Sequence, residues 1–271
     1  MQHKRILSVQ DISCVGQCSL TVALPLLSAL GHECAILPTS LLSSHTAFTH
    51  TSFCDLTKEL PAILDAWKTE GIRFDALYTG YIGTSACLSL LPRIIKDFVK
   101  EGGMKIIDPV MGDHGVLYRH LDAQYARQMR QVIAHADLIL PNLTEACLLA
   151  GVSYRESADP AFLSELHASL AALGARASVI TGVRSASDRI GISVYDGDSA
   201  PFFYDTLHVD RPSHGAGDVF ASLVTGRVIS GTPLAASARM AANFTCRAIA
   251  ETPASHWYGL CFERFLQLSE D

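Results

Sequence analysis

Short apolar runs alternate along the chain with longer amphipathic segments. Six runs have the length and composition of buried strands, and six segments repeat their apolar residues at helical spacing. This alternation is typical of a parallel sheet with helices on both faces. The predicted strands are 6–9, 34–37, 76–78, 105–107, 138–140 and 178–180, and the predicted helices are 19–30, 56–70, 86–100, 123–134, 144–150 and 160–173.

The pattern changes after Gly182. Residues 190–195 and 201–206 flank Asp196-Gly197-Asp198, a turn signal that predicts an antiparallel hairpin. Three further helices are predicted at 217–230, 233–249 and 258–268. No repeat, low-complexity tract or Pro/Ser-rich linker divides the chain, so we expect one α/β domain over residues 1–271.

Composition narrows the function classes. Of the 271 residues 49% are hydrophobic and 18% charged, enough for a large core. The net charge of -6 and the lack of a basic block disfavour a nucleic-acid partner. The apolar stretches are too short for a membrane span or a signal peptide, so we expect a cytoplasmic protein with no membrane partner.

The eight cysteines are dispersed and form no CxxC pair. This spacing argues against a zinc site and against a redox motif. We therefore expect most of them to be small buried apolar residues in a reducing compartment.

Ligands of open α/β sheets bind beyond the carboxyl ends of the strands, so the polar residues there are candidates. After the first strand, Asp11 could hold a ligand hydroxyl or ring nitrogen, and Gly16 could let the backbone approach that ligand closely. Alternatively, this stretch is an ordinary strand-to-helix turn. His45 follows the second strand and could belong either to a ligand-binding site or to a polar surface loop. Tyr81, after the third, could stack on a planar ring or fill the sheet edge.

The next strand ends carry carboxylates. Asp108 and Asp113 follow the fourth strand, and such a pair suits a hydrated Mg²⁺, which prefers one or two carboxylates plus phosphate oxygens. Asn142 and Glu145 follow the fifth, where they also have the spacing of a helix capping box. Thr181-Gly182 ends the sixth and could touch a phosphate or simply turn the chain.

The loop His214-Gly215-Ala216-Gly217-Asp218 precedes an apolar helix. Its small residues allow several N–H groups to converge at the positive end of that helix, which predicts an anion site, although a plain glycine turn is the alternative. A helix N-terminus stabilises a carboxylate by only about 0.3 to 1 kcal/mol, so we expect Asp218 to be ionised at neutral pH and modestly basic. A modest base suffices for phosphoryl transfer, where one well-aimed donor contributes about 2.7 to 4 kcal/mol.

Taken in order, these stretches resemble the ribokinase superfamily and, within it, the pyridoxal kinase branch that also includes hydroxymethylpyrimidine kinases. The resemblance runs over nearly the whole chain. It is carried by Ser8-Val9-Gln10, Leu24-Pro25, Ser44-His45-Thr46, Thr79-Gly80-Tyr81-Ile82-Gly83, Asp108-Pro109-Val110-Met111-Gly112-Asp113, Pro141-Asn142-Leu143-Thr144-Glu145-Ala146 and Gly215-Ala216-Gly217-Asp218.

The resemblance implies a three-layer sandwich with a mostly parallel central sheet. It also implies ATP-dependent phosphorylation of the 5'-hydroxymethyl group of pyridoxal, pyridoxine or pyridoxamine in vitamin B6 salvage. Its implied cofactors are ATP and Mg²⁺, with room for a monovalent cation such as K⁺, and its implied assembly is a homodimer.

By position, the resemblance implies a role for each candidate residue. Asp218 would be the base, and the amides of Gly215, Ala216 and Gly217 the anion hole. The metal would be held by Asp108, Asn142 and Glu145, the ATP by Asp113, Asn142, Glu145, Thr181, Gly182 and Gly217, and the pyridine ring by Asp11, His45, Thr46 and Tyr81.

Two positions depart from the family pattern. Many relatives have Thr where this chain has Ala216, so a hydroxyl that supports the loop is absent. Many pyridoxal kinases have Ser where this chain has Asp11, which leaves the preferred vitamer open. Hydroxymethylpyrimidine kinase of thiamine synthesis and a non-catalytic vitamin sensor stay as alternatives, although a sensor needs neither Asp218 nor a metal cluster.

Overall fold

The computed structural model describes residues 3–211 and 213–266. Its centre is a nine-stranded sheet with the strand order β11-β10-β9-β8-β5-β4-β1-β2-β3, and β6 and β7 form a separate small hairpin. The strands are β1 (Arg5–Ser13), β2 (Glu33–Leu42), β3 (Phe53–Asp55), β4 (Phe74–Thr79), β5 (Val99–Ile107), β6 (Gly112–Asp113), β7 (Val116–Leu117), β8 (Leu138–Ile139), β9 (Ala177–Ala186), β10 (Arg189–Tyr195) and β11 (Phe202–Leu207).

The middle of the sheet is parallel and consists of the strands that the apolar runs predict. Neighbours β2, β1, β4, β5, β8 and β9 all pair in parallel. The hairpin predicted after Gly182 is also confirmed, because β10 pairs antiparallel with β9 and with β11. At the opposite edge, β3 pairs antiparallel with β2.

Helices cover both faces, as the alternation predicts. They are α1 (Leu20–Ala29), α2 (Leu60–Thr69), α3 (Ser85–Leu88), α4 (Leu91–Phe98), α5 (Ala123–Ile133), α6 (Leu143–Ala150), α7 (Pro160–Ala172), α8 (Ala216–Ile229) and α9 (Leu234–Glu251). Side chains of α1, α8 and α9 pack with one face of the sheet in one buried cluster, and those of α2 and α4 to α7 pack in another. The three-layer α/β prediction is therefore confirmed, and no helix in the described ranges could cross a membrane.

Two predicted helices are wrong in extent. The helix predicted over 86–100 is divided into α3 and α4, since Pro92 lies in the first turn of α4 and lacks the N–H that a continuous helix needs. Residues 99 and 100 belong to β5 instead.

The helix predicted over 258–268 does not form in the part described, where only a 3₁₀ turn occurs at Glu263–Phe265. Backbone groups there bond to distant partners: the Tyr258 carbonyl accepts from the Gln17 N–H, and the Cys261 N–H donates to the Thr252 hydroxyl. Residues 267 and 268 lie outside the described residues.

The prediction that most cysteines are buried is also wrong. All eight are free, but only Cys87 and Cys147 are buried. Cys14 lies in the loop after β1 and Cys54 on the edge strand β3, and both are exposed. Cys18 is partly exposed, and burial raises the pKa of its thiol to about 12, so the thiol is protonated at neutral pH.

Candidate active site

The carboxyl ends of the parallel strands open into a cavity of about 760 Å³. Because parallel strands all end at the same edge, residues far apart in the chain meet there. The cavity is lined by every residue predicted for catalysis, nucleotide or metal: Asp108, Asp113, Asn142, Glu145, Thr181, Gly182, Gly215, Ala216, Gly217 and Asp218. The four residues predicted for the pyridine ring do not line it.

The glycine loop, defined as residues 215–217, has the geometry of an anion-binding turn at the N-terminus of α8. Gly215 is the N-cap residue with φ 80°, and a Cβ there would lie 2.0 Å from the Gln17 carbonyl oxygen. Only glycine fits this position without displacing backbone. The Ala216 N–H donates to the Ser213 carbonyl at 3.1 Å, so it is already engaged, whereas Gly217 is exposed to the cavity. Gly217 is therefore the more available donor of the two.

Asp218 lies in the first turn of α8 and is partly exposed. Desolvation, with a smaller contribution from the nearby Asp11 carboxylate, raises the pKa of its carboxyl group to about 7 against the opposing effect of the Ser19 backbone. Asp218 is therefore only partly ionised at neutral pH, and not fully ionised as predicted, because desolvation outweighs the helix dipole. A carboxylate with this pKa is a stronger base than an exposed aspartate.

Asp108 and Glu145 form a buried pair of carboxyl groups, 6% and 3% exposed. Burial and the charge of Glu145 raise the pKa of Asp108 well above its usual range. Burial raises the pKa of Glu145 to about 8, despite hydrogen bonds from the backbone N–H groups of Asn142 and Met111.

Asn142 and Glu145 also form the capping box that their spacing predicts. The Asn142 carboxamide oxygen accepts from the Glu145 N–H at 2.9 Å, and the Glu145 carboxylate accepts from the Asn142 N–H at 2.8 Å. The Asn142 amide group donates to the Gly112 carbonyl at 2.8 Å. Capping α6 thus uses much of the hydrogen-bonding capacity of both side chains.

Asp108, Asn142 and Glu145 suit a Mg²⁺ ion that keeps several waters better than an ion enclosed entirely by protein ligands. In the described residues no group of three or more His, Cys, Asp and Glu side chains could enclose a metal. Asp108 and Glu145 form no ion pair there with a basic side chain. A cation would relieve their repulsion, and Mg²⁺ takes one or two carboxylates and completes its shell with water and phosphate oxygens.

Of the residues predicted for the ring, Asp11 lies near Asp218. Asp11 is buried, and its charge raises the pKa of both Asp218 and Tyr81, so the three side chains are neighbours. Tyr81 is partly exposed, and Thr46 is exposed. His45 is buried against Gly16, with both ring nitrogens engaged by backbone groups.

Several arginine and histidine residues that line the cavity were not among the sequence candidates. Arg184 and His208 line it with 3.4 Å between a guanidinium nitrogen and the His208 Nε2, and Arg211 and His214 also line it. His214 directly precedes the glycine loop, and this adjacency is the signal that could have identified it. The other three lie on or after the antiparallel strands, where no motif marks them.

The phosphomethylpyrimidine kinase family model matches residues 27–259. The chain is 32% identical to a pyridoxine kinase of Bacillus subtilis, over 84% of this chain and 83% of that protein.

Two solved structures have nearly the same fold. A Bacteroides thetaiotaomicron protein crystallised with pyridoxal has a TM-score of 0.93 at 33% identity, covering 97% of this chain and 94% of that one. Pyridoxal kinase from Lactobacillus plantarum has a TM-score of 0.89 at 33% identity, covering 97% and 95%.

The fold is thus that of a ribokinase-like small-molecule kinase. The chain belongs to the phosphomethylpyrimidine kinase family and groups there with the pyridoxal kinases.

Proposed function

We propose that this kinase transfers the γ-phosphoryl group of ATP to the 5'-hydroxymethyl group of a vitamin B6 vitamer. The observation that carries the proposal is Asp218, a carboxyl group with a pKa of about 7 beside the glycine loop. Asp218 lines a nucleotide-sized cavity, and the Asp11 carboxyl group lies close enough to raise its pKa. The pyridoxine kinase and pyridoxal kinase relatives support this choice of acceptor.

In the proposed reaction, the ionised Asp218 carboxylate takes the proton of the acceptor hydroxyl. The acceptor oxygen forms a bond to the γ-phosphorus, and the bond between that phosphorus and the β,γ-bridging oxygen breaks. The electron pair of the broken bond leaves on ADP. The loose transition state spreads charge over the three equatorial oxygens, which the Gly217 amide and the positive end of α8 stabilise.

The other cavity residues would position the nucleotide. Asp108 and Glu145 would hold Mg²⁺ through its waters, with Asn142 fixing Glu145 by the capping box. The ion supplies charge neutralisation between the phosphates when bound. Thr181 offers a hydroxyl and Gly182 an open backbone position, with no heavy atom within 4 Å of a Cβ there, and Asp113 lies at the exposed rim.

Asp11 and Tyr81 would bind the acceptor ring. Tyr81 offers a flat aromatic face and Asp11 a polar group for the ring nitrogen or the 3-hydroxyl group. Burial raises the pKa of the Asp11 carboxyl group above its usual value. The implied homodimer, which sedimentation analysis tests, is part of the same proposal.

Purified enzyme with ATP and Mg²⁺ tests the proposal when it is offered pyridoxal, pyridoxine, pyridoxamine and hydroxymethylpyrimidine separately. We expect phosphorylation of at least one B6 vitamer, with Asp218→Asn lowering kcat by about 10²- to 10⁴-fold and leaving ATP affinity nearly unchanged. Efficient turnover of the pyrimidine alone would replace the proposed acceptor. Tight vitamer binding without turnover would instead indicate a sensor, and an active Asp218→Asn variant would refute the role of Asp218.

A further inference from the structure

His45 has no polar atom left for a ligand. The Ala47 N–H donates to its Nδ1 at 3.2 Å, so Nδ1 carries no proton. The proton is therefore on Nε2, which donates to the Tyr258 carbonyl at 2.9 Å. The ring is buried, and a Cβ on Gly16 would lie 2.1 Å from its Cδ2 atom. His45 can thus offer a ring face but not a hydrogen bond.

His214 packs on this locked ring. The two ring centroids are 4.9 Å apart with an interplanar angle of 34°. His214 also lines the cavity and directly precedes Gly215 of the glycine loop. Its imidazole therefore lies at the cavity wall, next to the glycine loop to which the proposed function assigns the transferred phosphoryl group.

Unlike His45, His214 has both ring nitrogens available. None of the histidine hydrogen bonds within the described ranges involves it. Burial lowers the pKa of His214, which favours the neutral imidazole. A neutral imidazole has one N–H to donate and one nitrogen that accepts.

We propose that His214 is a further catalytic residue, which donates an N–H hydrogen bond to an oxygen of the phosphoryl group during its transfer. His45 is its positioning residue, since stacking on a ring fixed at both nitrogens restricts the orientation of the His214 imidazole. His214 keeps its proton throughout, and the acceptor proton still goes to Asp218. The proposal rests on the proposed phosphoryl transfer and adds one donor to it.

Two substitutions separate the effect of the His214 N–H donor from the effect of its aromatic ring. His214→Phe keeps a flat ring to stack on His45 but removes both nitrogens, and His214→Gln keeps an N–H donor without an aromatic ring. We expect His214→Phe to lower kcat by about 10²-fold, as for loss of one aligned donor, with the vitamer KM within about twofold. His214→Gln should restore part of the lost rate. His135→Phe, at an exposed histidine after α5, is the matched control and should behave as wild type.

Calorimetric binding supplies a readout that does not depend on turnover. We expect His214→Phe to weaken binding of pyridoxal 5'-phosphate by about tenfold while binding of pyridoxal is unchanged, since only the phosphate needs the donor. Equally weakened binding of both ligands would indicate that His214 acts only through packing and would contradict the proposal. Wild-type kcat and wild-type product affinity in His214→Phe would also overturn it.

The two proposals fail in distinguishable ways. Wild-type enzyme that phosphorylates no vitamer contradicts the proposed function, whatever His214 does. Wild-type enzyme that phosphorylates a vitamer, with His214→Phe equally fast, contradicts only the role of His214.

Discussion

Asp218 shows how burial changes the chemistry of a single residue. Its place in the first turn of α8 stabilises the ionised form, but only by about 0.3 to 1 kcal/mol. Desolvation has the opposite and larger effect, and the Asp11 charge adds to it, so the pKa reaches about 7. The same carboxyl group is thus both more basic and less often ionised than an exposed aspartate.

The pH dependence of the reaction follows from this pKa. Asp218 acts as a base only when ionised, so we expect kcat/KM to fall as the pH drops below about 7 and to level off above it. Initial rates between pH 5.5 and 9, at fixed free Mg²⁺, measure the profile.

Asp11→Asn provides an internal comparison. Because the Asp11 charge raises the pKa of Asp218, its removal should move the acidic limb of the profile to lower pH. Desolvation, the larger cause, persists in this variant, so the limb should not reach the pH of an exposed aspartate. A profile unaffected by Asp11→Asn would mean that the two carboxyl groups are not coupled.

At the scale of elements, the loop before α8 depends on contact with the loop after β1. Gly215 has a positive φ and lies against the Gln17 carbonyl, whose residue also donates its N–H to Tyr258. The β1–α1 loop, the glycine loop and the 253–266 segment therefore support one another. The hydrogen bond from the Gln17 N–H to the Tyr258 carbonyl also helps to explain why the segment after Tyr258 is not the helix that its composition predicts.

Gly215→Ala should be far more harmful than a matched substitution at Gly31. Both residues have positive φ, so alanine costs about 1 to 2 kcal/mol at either site. A Cβ at Gly215 would lie 2.0 Å from a backbone oxygen, whereas a Cβ at Gly31 would have no neighbouring heavy atom within 4 Å. We expect Gly31→Ala to keep full activity with a small loss of stability.

Gly215→Ala should lose most activity, because the glycine loop must move to relieve the contact. Denaturant unfolding and kcat, measured on both variants, give the comparison. Equal behaviour of the two would show that the loop tolerates displacement.

At the scale of the whole molecule, the fold brings three acidic groups into one site. Asp108 and Glu145 come from the end of β5 and the start of α6, and Asp218 from α8. Each has a raised pKa, so the folded protein favours their protonated forms. Protonation stabilises the folded state here, and this stability is lost as the pH rises through the folded pKa values of about 7 for Asp218 and about 8 for Glu145.

The free protein should therefore melt at a lower temperature at pH 8.5 than at pH 6. Mg²⁺ should raise the melting temperature more at pH 8.5, where the carboxylates that it neutralises are ionised. Thermal unfolding at both pH values, with and without Mg²⁺, measures this. Glu145→Gln should reduce the pH dependence, and a melting temperature independent of both pH and Mg²⁺ would contradict a cation site.

The parallel strands, the hairpin and the strand-end candidates could be predicted from local sequence. Apolar runs and turn signals act over a few residues, so β1 and β10 are visible in the sequence alone. The capping box of α6 was visible for the same reason, since Asn142 and Glu145 are three residues apart.

Tertiary structure decided the properties that depend on distant partners. His45 is locked by the carbonyl of Tyr258, 213 residues away, and this leaves His214 as the imidazole with available nitrogens. The pKa of Asp218 depends on its desolvation and on Asp11 from the other end of the chain. Burial and long-range hydrogen bonds exist only after folding, so local pattern could identify the candidate side chains but not their protonation or availability.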